Sequence, residues 1–448
     1  NIKQQITLAS VFLGLSRDPF TSFSIFANMT LVFEGVEKSY NDKRDYRHIT
    51  LGNQLEALLI HDPDTEKSSA ACSVKVGFMS DPKDLPGLAH FLEHMLFMGT
   101  EKFPEENAYS SFLSAHGGSS NAYTAQEETG YYFDVQSDHL YSSLEIFSSF
   151  FTCPLFTESA TMREINAVDN ENSKNLQSDM WRANQLMRHL ARDDHPYKTF
   201  GTGNLETLKS IPETKGVNLR DALLTFYESY YSSNVMKLVV YGKDSLDTLQ
   251  LWTEKFFSSV PNKSLSPPSF APDPYTPNQL GKVLEVVPVR DSKAMDFTFL
   301  IPPVQQHYTS KPVSFLSHLL GHEGPGSILS LLKKKGWANG LGAYTAESTR
   351  DFAAFGVSID LTDEGIERER EVIDTVFEYI GMLKREGEKE WIVEEVRDVL
   401  HMQFRFLNKT EPITYTSKLM CNMHEYAKEH IISGDYIISN ISLSLSLS

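Results

Sequence analysis

Cysteine is scarce in this chain: three in 448 residues, at positions 72, 153 and 421. An odd number at such wide spacing supports neither a disulfide framework nor a cysteine-based metal site, and it favours a reducing compartment. Long apolar runs are missing as well. None approaches the eighteen or so residues that a membrane helix needs, so no membrane-spanning role is expected. Basic residues are in deficit, 41 against 59 acidic ones, for a formal net charge of −18. A surface of that sign disfavours nucleic acid and anionic membranes; basic or amphipathic peptides remain compatible with it. The rest is ordinary material for a soluble globular protein, 41% hydrophobic and 22% charged, in a chain long enough for two or three domains with their own cores.

Two of the histidines fall in a pattern with chemical meaning. His90-Phe91-Leu92-Glu93-His94 lies between a start signal, Pro86-Gly87, and a stop at Gly99. Leu88, Leu92, Met95 and Leu96 form an apolar stripe there, so a short helix is expected. Residues i and i+4 stack on one helical face, so both imidazoles can reach one ion. Glu93 stands beside them, able to take a proton from a water on that ion. The order H-x-x-E-H inverts H-E-x-x-H and marks the inverzincin class of zinc hydrolases. Catalytic zinc takes three protein ligands and a water, so a third donor is expected on another helix. The segment Glu158 to Trp181 offers Glu164 and Glu171, two turns apart on one stripe. Spacing alone leaves open which of them binds and which supports the other ligands, or whether both are surface carboxylates.

A Pro- and Ser-rich stretch, Ser264 to Gly281, reads as a linker. On either side the same succession of elements recurs. The first half has strands near 55–60 and 71–78, the helix bearing His90, a helix near 107–115, strands near 121–125 and 130–135, and helices near 138–151 and 159–190. The second half has strands near 283–289 and 294–301, helices near 312–320 and 327–334, strands near 341–346 and 352–360, and helices near 364–385 and 389–405. Ala122-Tyr123-Thr124-Ala125 returns as Ala343-Tyr344-Thr345-Ala346, and His90 to His94 returns as His318-Leu319-Leu320-Gly321-His322. Gly321 stands where the acid was, and Met402 falls where Glu171 would be. The second copy is therefore expected to be non-catalytic.

Seven motifs appear in order: HFLEHMLFMGT (90–100), GSSNAYT (118–124), GYYFDV (130–135), REINAVD (163–169), FGTGN (200–204), YYSSN (230–234) and GHEGPGS (321–327). With them the chain, from about residue 30 to about residue 440, resembles the insulysin branch of the pitrilysin-type (M16) metallopeptidases. The resemblance implies an α+β fold of two homologous α/β-sandwich domains, the second truncated at its C-terminal end. The division expected is an unassigned leader 1–28, a catalytic zinc-peptidase domain 29–263, the linker 264–281, an inactive homologous domain 282–440 and a low-complexity Ser-Leu tail 441–448. It further implies that His90, His94 and Glu171 bind Zn2+, that Glu93 is the general base and that Glu164 is a supporting carboxylate. Substrate is expected to add as a strand alongside Asn121 to Thr124, through Asn121, Ala122 and Tyr123, with Phe97 and Tyr123 as side-chain contacts.

In the family an exosite holds the substrate N-terminus; it maps to His322, Gly324 and Gly326 and to Leu341, Gly342 and Ala343. The paired glycines usual in its second segment are Ala343-Tyr344 here. Peptide substrates are the expected partners, with a C-terminal half or a second copy of the chain as a further candidate. Full-length members have four related domains, and their second half supplies an Arg and a Tyr near the catalytic centre for which no position here stands in. The implied activity is that of a zinc metalloendopeptidase acting on small to medium peptides, here in half-length form. The alternative is a catalytically weak, zinc-binding, peptide-holding or partner subunit. The cytoplasm is the expected location, or an organelle if residues 1–28, with Lys3 and Arg17, are a transit segment.

Overall fold

The computed structural model describes residues 29–387 and 389–438, so the expected leader and the Ser-Leu tail lie outside the described residues. The first sheet comprises β1 (Leu31–Phe33), β2 (Asp45–Thr50), β3 (Glu56–His61), β4 (Lys67–Val74), β5 (Ser119–Thr124), β6 (Thr129–Gln136) and β7 (Met236–Gly242), in the order β1-β2-β3-β7-β4-β6-β5. β7 returns from far along the chain to pair parallel with β3 and antiparallel with β4. The central strands are apolar on both faces. Ala57 and Leu59 join one buried cluster, while Leu58 and Ile60 join another on the opposite side. That alternation demands cover above and below.

On the first face lie α1 (Leu88–Leu96), α2 (Ala108–Ala115), α3 (Leu140–Ser149), α4 (Glu158–Asn175), α6 (Leu219–Tyr230) and α7 (Leu246–Phe257), while α5 (Asp179–His189) buries no residue and joins no part of that core. Phe91, Phe147, Leu223 and Phe257 are among the side chains that the other helices bury against the sheet. The expected run 159–190 breaks at Leu176–Ser178, between α4 and α5. The strand expected over 71–78 ends at Val74, because the chain bends at Lys75, where the Val76 N–H turns back to the Val74 carbonyl at 2.8 Å, and Phe78 opens a tight turn. Cys72 is fully buried, as a small core residue.

The second sheet, β8 (Ala294–Ile301), β9 (Ala338–Ser348) and β10 (Ala353–Leu361), has the order β8-β10-β9. It is flanked by α8 (Pro312–Leu320), α9 (Ile328–Lys335), α10 (Glu369–Glu386) and α11 (Glu390–Arg405). This order repeats β4-β6-β5, and the repeat holds to the residue. Tyr123 lies opposite Gly130 across β5–β6, and Tyr344 lies opposite Gly356 across β9–β10. A Cβ on Gly130 would come within 2.5 Å of the Tyr123 ring, and one on Gly356 within 3.1 Å of the Tyr344 ring. Each glycine is the seat of a tyrosine ring.

The segment expected as a strand over 283–289 forms none. Its apolar residues suit a strand, but Pro288 cannot donate to a ladder, and the N–H groups of Val289 and Arg290 go to the Asp179 carboxylate on α5 (2.7 and 3.1 Å). The expected second domain also gives up its last helix. α12 (Pro412–Glu425) crosses to the first sheet, where Tyr415, Leu419, Met420 and Met423 cover Leu58, Ile60, Ala71 and Val239. The linker 264–281 has no helix or strand, as expected, yet it is packed in place: Phe270 and Tyr275 rest on Phe78, Tyr197 and Phe352. No helix among the described residues is long and apolar enough to cross a membrane.

Candidate metal centre

α1 starts at Gly87, whose φ of +93° is left-handed, and the first N–H groups of its opening turn are claimed by Asp81: Gly87 N at 2.7 Å and Ala89 N at 2.8 Å. This satisfies donors that a helix start leaves orphaned. Gly87 also meets Gly203 so closely that a Cβ would come within 2.3 Å of the Gly203 Cα. That contact brings the Thr202 carbonyl to His90, whose Nδ1–H donates to it at 2.7 Å. A carbonyl only accepts, so the proton sits on Nδ1 and the Nε2 lone pair is left for a metal.

α4, capped by Thr157, buries Ile165 and Val168 and so turns Glu164 and Glu171 toward α1. His94 Nδ1 lies 3.1 Å from Glu164 Oε2, which frees its Nε2 in the same way. Glu171 Oε2 is 3.6 Å from both His90 Nε2 and His94 Nε2. The donor atoms of His90, His94 and Glu171 all lie within 4.8 Å of one another. Ligands bonded at about 2.0–2.1 Å to a tetrahedral ion stand roughly 3.3 Å apart, so two imidazoles and a carboxylate at this spacing fit zinc with one position left over. The carboxylates Glu93, Glu164 and Glu171 surround two imidazoles, a charge excess that favours a dication. Burial works against a cation on His94, but Glu164 and Glu171 outweigh it and push the imidazole up to about 9. The His94 imidazole beside it holds Glu171 below its ordinary value despite its partial burial.

Glu93 is buried beside this group and accepts a hydrogen bond from Thr124 Oγ1 at 2.6 Å. Burial raises its carboxyl above the usual range, partly offset by His90 and by the Thr124 hydroxyl.

Two expected substrate contacts point elsewhere. Thr124 faces α1, so its strand neighbour Tyr123 faces the opposite side, where its hydroxyl donates to Glu128 (2.8 Å) beside Cys421. Phe97 turns into the core, with its ring 5.4 Å from Phe150 and 5.9 Å from Tyr109. Asn121 and Ala122 lie on β5, along whose outer edge no strand pairs among the described residues. The two expected exosite segments are neighbours: a Cβ on Gly321 would sit 3.6 Å from that of Ala343. His322 accepts the Gly324 N–H at 3.1 Å, Gly326 has φ of +90°, and Leu341 packs on the second core while Gly342 stays open. His322 lies past the end of α8 at Leu320, its ring 6.0 Å from that of His318, so the second H-x-x-x-H is split between helix and turn. Asp81 and Thr202 were not singled out from the sequence, and Thr124 only as the end of the substrate strand; the glycines of FGTGN, whose Gly203 meets Gly87, are the one local mark of that approach.

A model described as insulinase (peptidase family M16) matches residues 56–194, and one described as the M16 inactive domain matches residues 218–400. The chain belongs to peptidase family M16. Within that family it is insulysin-like. The A-factor-processing enzyme of Saccharomyces cerevisiae is 48% identical over 412 residues, covering 91% of this chain and 40% of the relative. Human insulin-degrading enzyme is 46% identical over 403 residues, covering 90% and 40%. A crystal structure of pitrilysin matches with a TM-score of 0.90 at 30% identity, over 93% of this chain and 44% of that one. The chain thus spans about 40% of the length of these curated relatives.

Proposed function

We propose that this chain is the zinc-binding, catalytic portion of a metalloendopeptidase that hydrolyses small to medium peptides. The observation that carries the reading is the convergence of His90 Nε2, His94 Nε2 and Glu171 Oε2, from two separate helices, beside the buried carboxylate of Glu93. His90, His94 and Glu171 hold the ion, and Glu164 orients His94 from behind. Zinc supplies Lewis acidity at this point, polarising the scissile carbonyl and acidifying the attacking water. Glu93 takes the proton from that water and returns it to the leaving amine. The unpaired edge of β5 receives the peptide as an added strand through Asn121 and Ala122, which gives affinity with little sequence preference.

In this reading residues 29–263, with α12 laid across their sheet, carry the chemistry, and the rest of 282–440 is the inactive homologue whose GHEGPG turn and β9 hold the far end of a peptide. The outer edge of β5, unpaired among the described residues, also suits a second reading, a zinc-binding subunit that holds peptides and turns them over only with a partner.

A fluorogenic peptide assay on the purified chain, with and without a chelator, separates the two. For the first reading, Glu93→Gln is expected to lower turnover by about 10²–10⁴-fold with zinc content unchanged, while Glu171→Gln releases zinc. A Glu93→Gln chain of normal activity refutes the general-base assignment.

A further inference from the structure

We propose that Thr124 is the positioning residue for Glu93: its hydroxyl fixes the rotation of the catalytic carboxylate from the strand that receives the substrate. This rests on the reading of Glu93 as proton acceptor. Among the described residues the Glu93 side chain makes one hydrogen bond, to Thr124 Oγ1 at 2.6 Å. The terminal torsion of a glutamate is broad and roughly two-fold, so burial alone does not fix which oxygen faces the ion. The hydroxyl does, by engaging Oε2 and leaving Oε1 to the water.

The donor is well mounted. Threonine is branched at Cβ and stiff about χ1. Thr124 pairs with Thr129 on β6, and the turn that follows closes with Ala125 N–H on the Glu128 carbonyl at 2.8 Å. The second half of the chain grips the same turn: Gln126 donates to Glu347 on β9, and Glu127 accepts the Arg350 N–H at 2.9 Å. A peptide added along the outer edge of β5 therefore leans on the strand that aims the base. Binding and proton abstraction share one backbone.

The test compares Thr124→Val, which keeps the shape and removes the donor, with Thr124→Ser, which restores it. Both zinc-loaded proteins are assayed against a fluorogenic peptide, and metal content is measured in parallel. Valine is expected to lower kcat by about 10- to 100-fold, with KM and zinc stoichiometry unchanged, and serine to recover most of the loss. Unchanged kcat in the valine variant, a rise in KM in place of a fall in kcat, or a serine variant as slow as valine overturns the proposal. A thermal-unfolding cycle combining Thr124→Val with Glu93→Gln needs no turnover: coupled shifts in Tm support the contact and additive ones overturn it. Full activity in Glu93→Gln alone refutes the base assignment instead, so the two failures are distinguishable.

Discussion

At the scale of single residues, what was legible in the chain was what repeats locally. His90 and His94 sit four apart on one helix, and that spacing is a statement about geometry before any fold is known. The Glu164–Glu171 pair was legible only as two candidates, and their roles separate once α4 is docked against α1. The contacts of Thr124 and Thr202 were illegible because their partners lie 31 and 112 residues away. The same non-locality sets a pH dependence. Glu56 on β3 lies 3.1 Å from His48 Nε2 and 2.6 Å from Lys237 Nζ, its register partner on β7. Burial opposes its charge, but His48 and Lys237 win and hold the carboxyl at about 2, below its ordinary 4.5. A depressed folded value contributes stability that is fully present above pH 4.5 and is lost as pH falls toward 2. Glu56→Gln is therefore expected to flatten the acid-unfolding profile in that window, measured by circular dichroism against the parent.

At the scale of elements, the hairpin strands β5 and β6 and the helices α1 and α2 were close to their expected places, because alternation and capping are written into adjacent residues. β7 and α12 were not anticipated. Each is placed by a partner far along the chain, β7 between β3 and β4 and α12 across the open face of the same sheet. The stretch 283–289 shows the converse, since composition suits a strand but pairing decides. α12 carries a measurable share of the fold. Leu419 is 1% exposed in the cluster it forms with Leu58, Ile60 and Val239. Leu419→Ala is expected to destabilise the protein by about 2–5 kcal/mol, read from the midpoint of chemical denaturation. A variant as stable as the parent would mean that the helix does not seal the sheet.

At the scale of the whole molecule, the duplication was legible as repeated motifs, but the way the two copies meet was not. They meet where the tip of the β9–β10 hairpin enters the first unit. Phe352 is buried against Phe78, Met79 and Tyr197, and Glu347 accepts from Tyr197 Oη at 2.8 Å. All three metal donors come from α1 and α4, so this junction should govern docking without touching the ion. Phe352→Ala is expected to cost about 3–5 kcal/mol and to speed limited proteolysis within 264–281, with zinc content held. Zinc lost together with the docking would show that the two copies are not separable in this sense.

The tyrosine resting on a glycine recurs in both sheets whatever the chemistry of each copy. The second copy carries Gly321 and Met402 where the sequence repeat sets them against Glu93 and Glu171, yet it keeps the ring-on-glycine joint. Ancestry in such a protein is written more durably in its carpentry than in its reagents, and a search for silent copies in other chains does better to look for that joint than for the histidines.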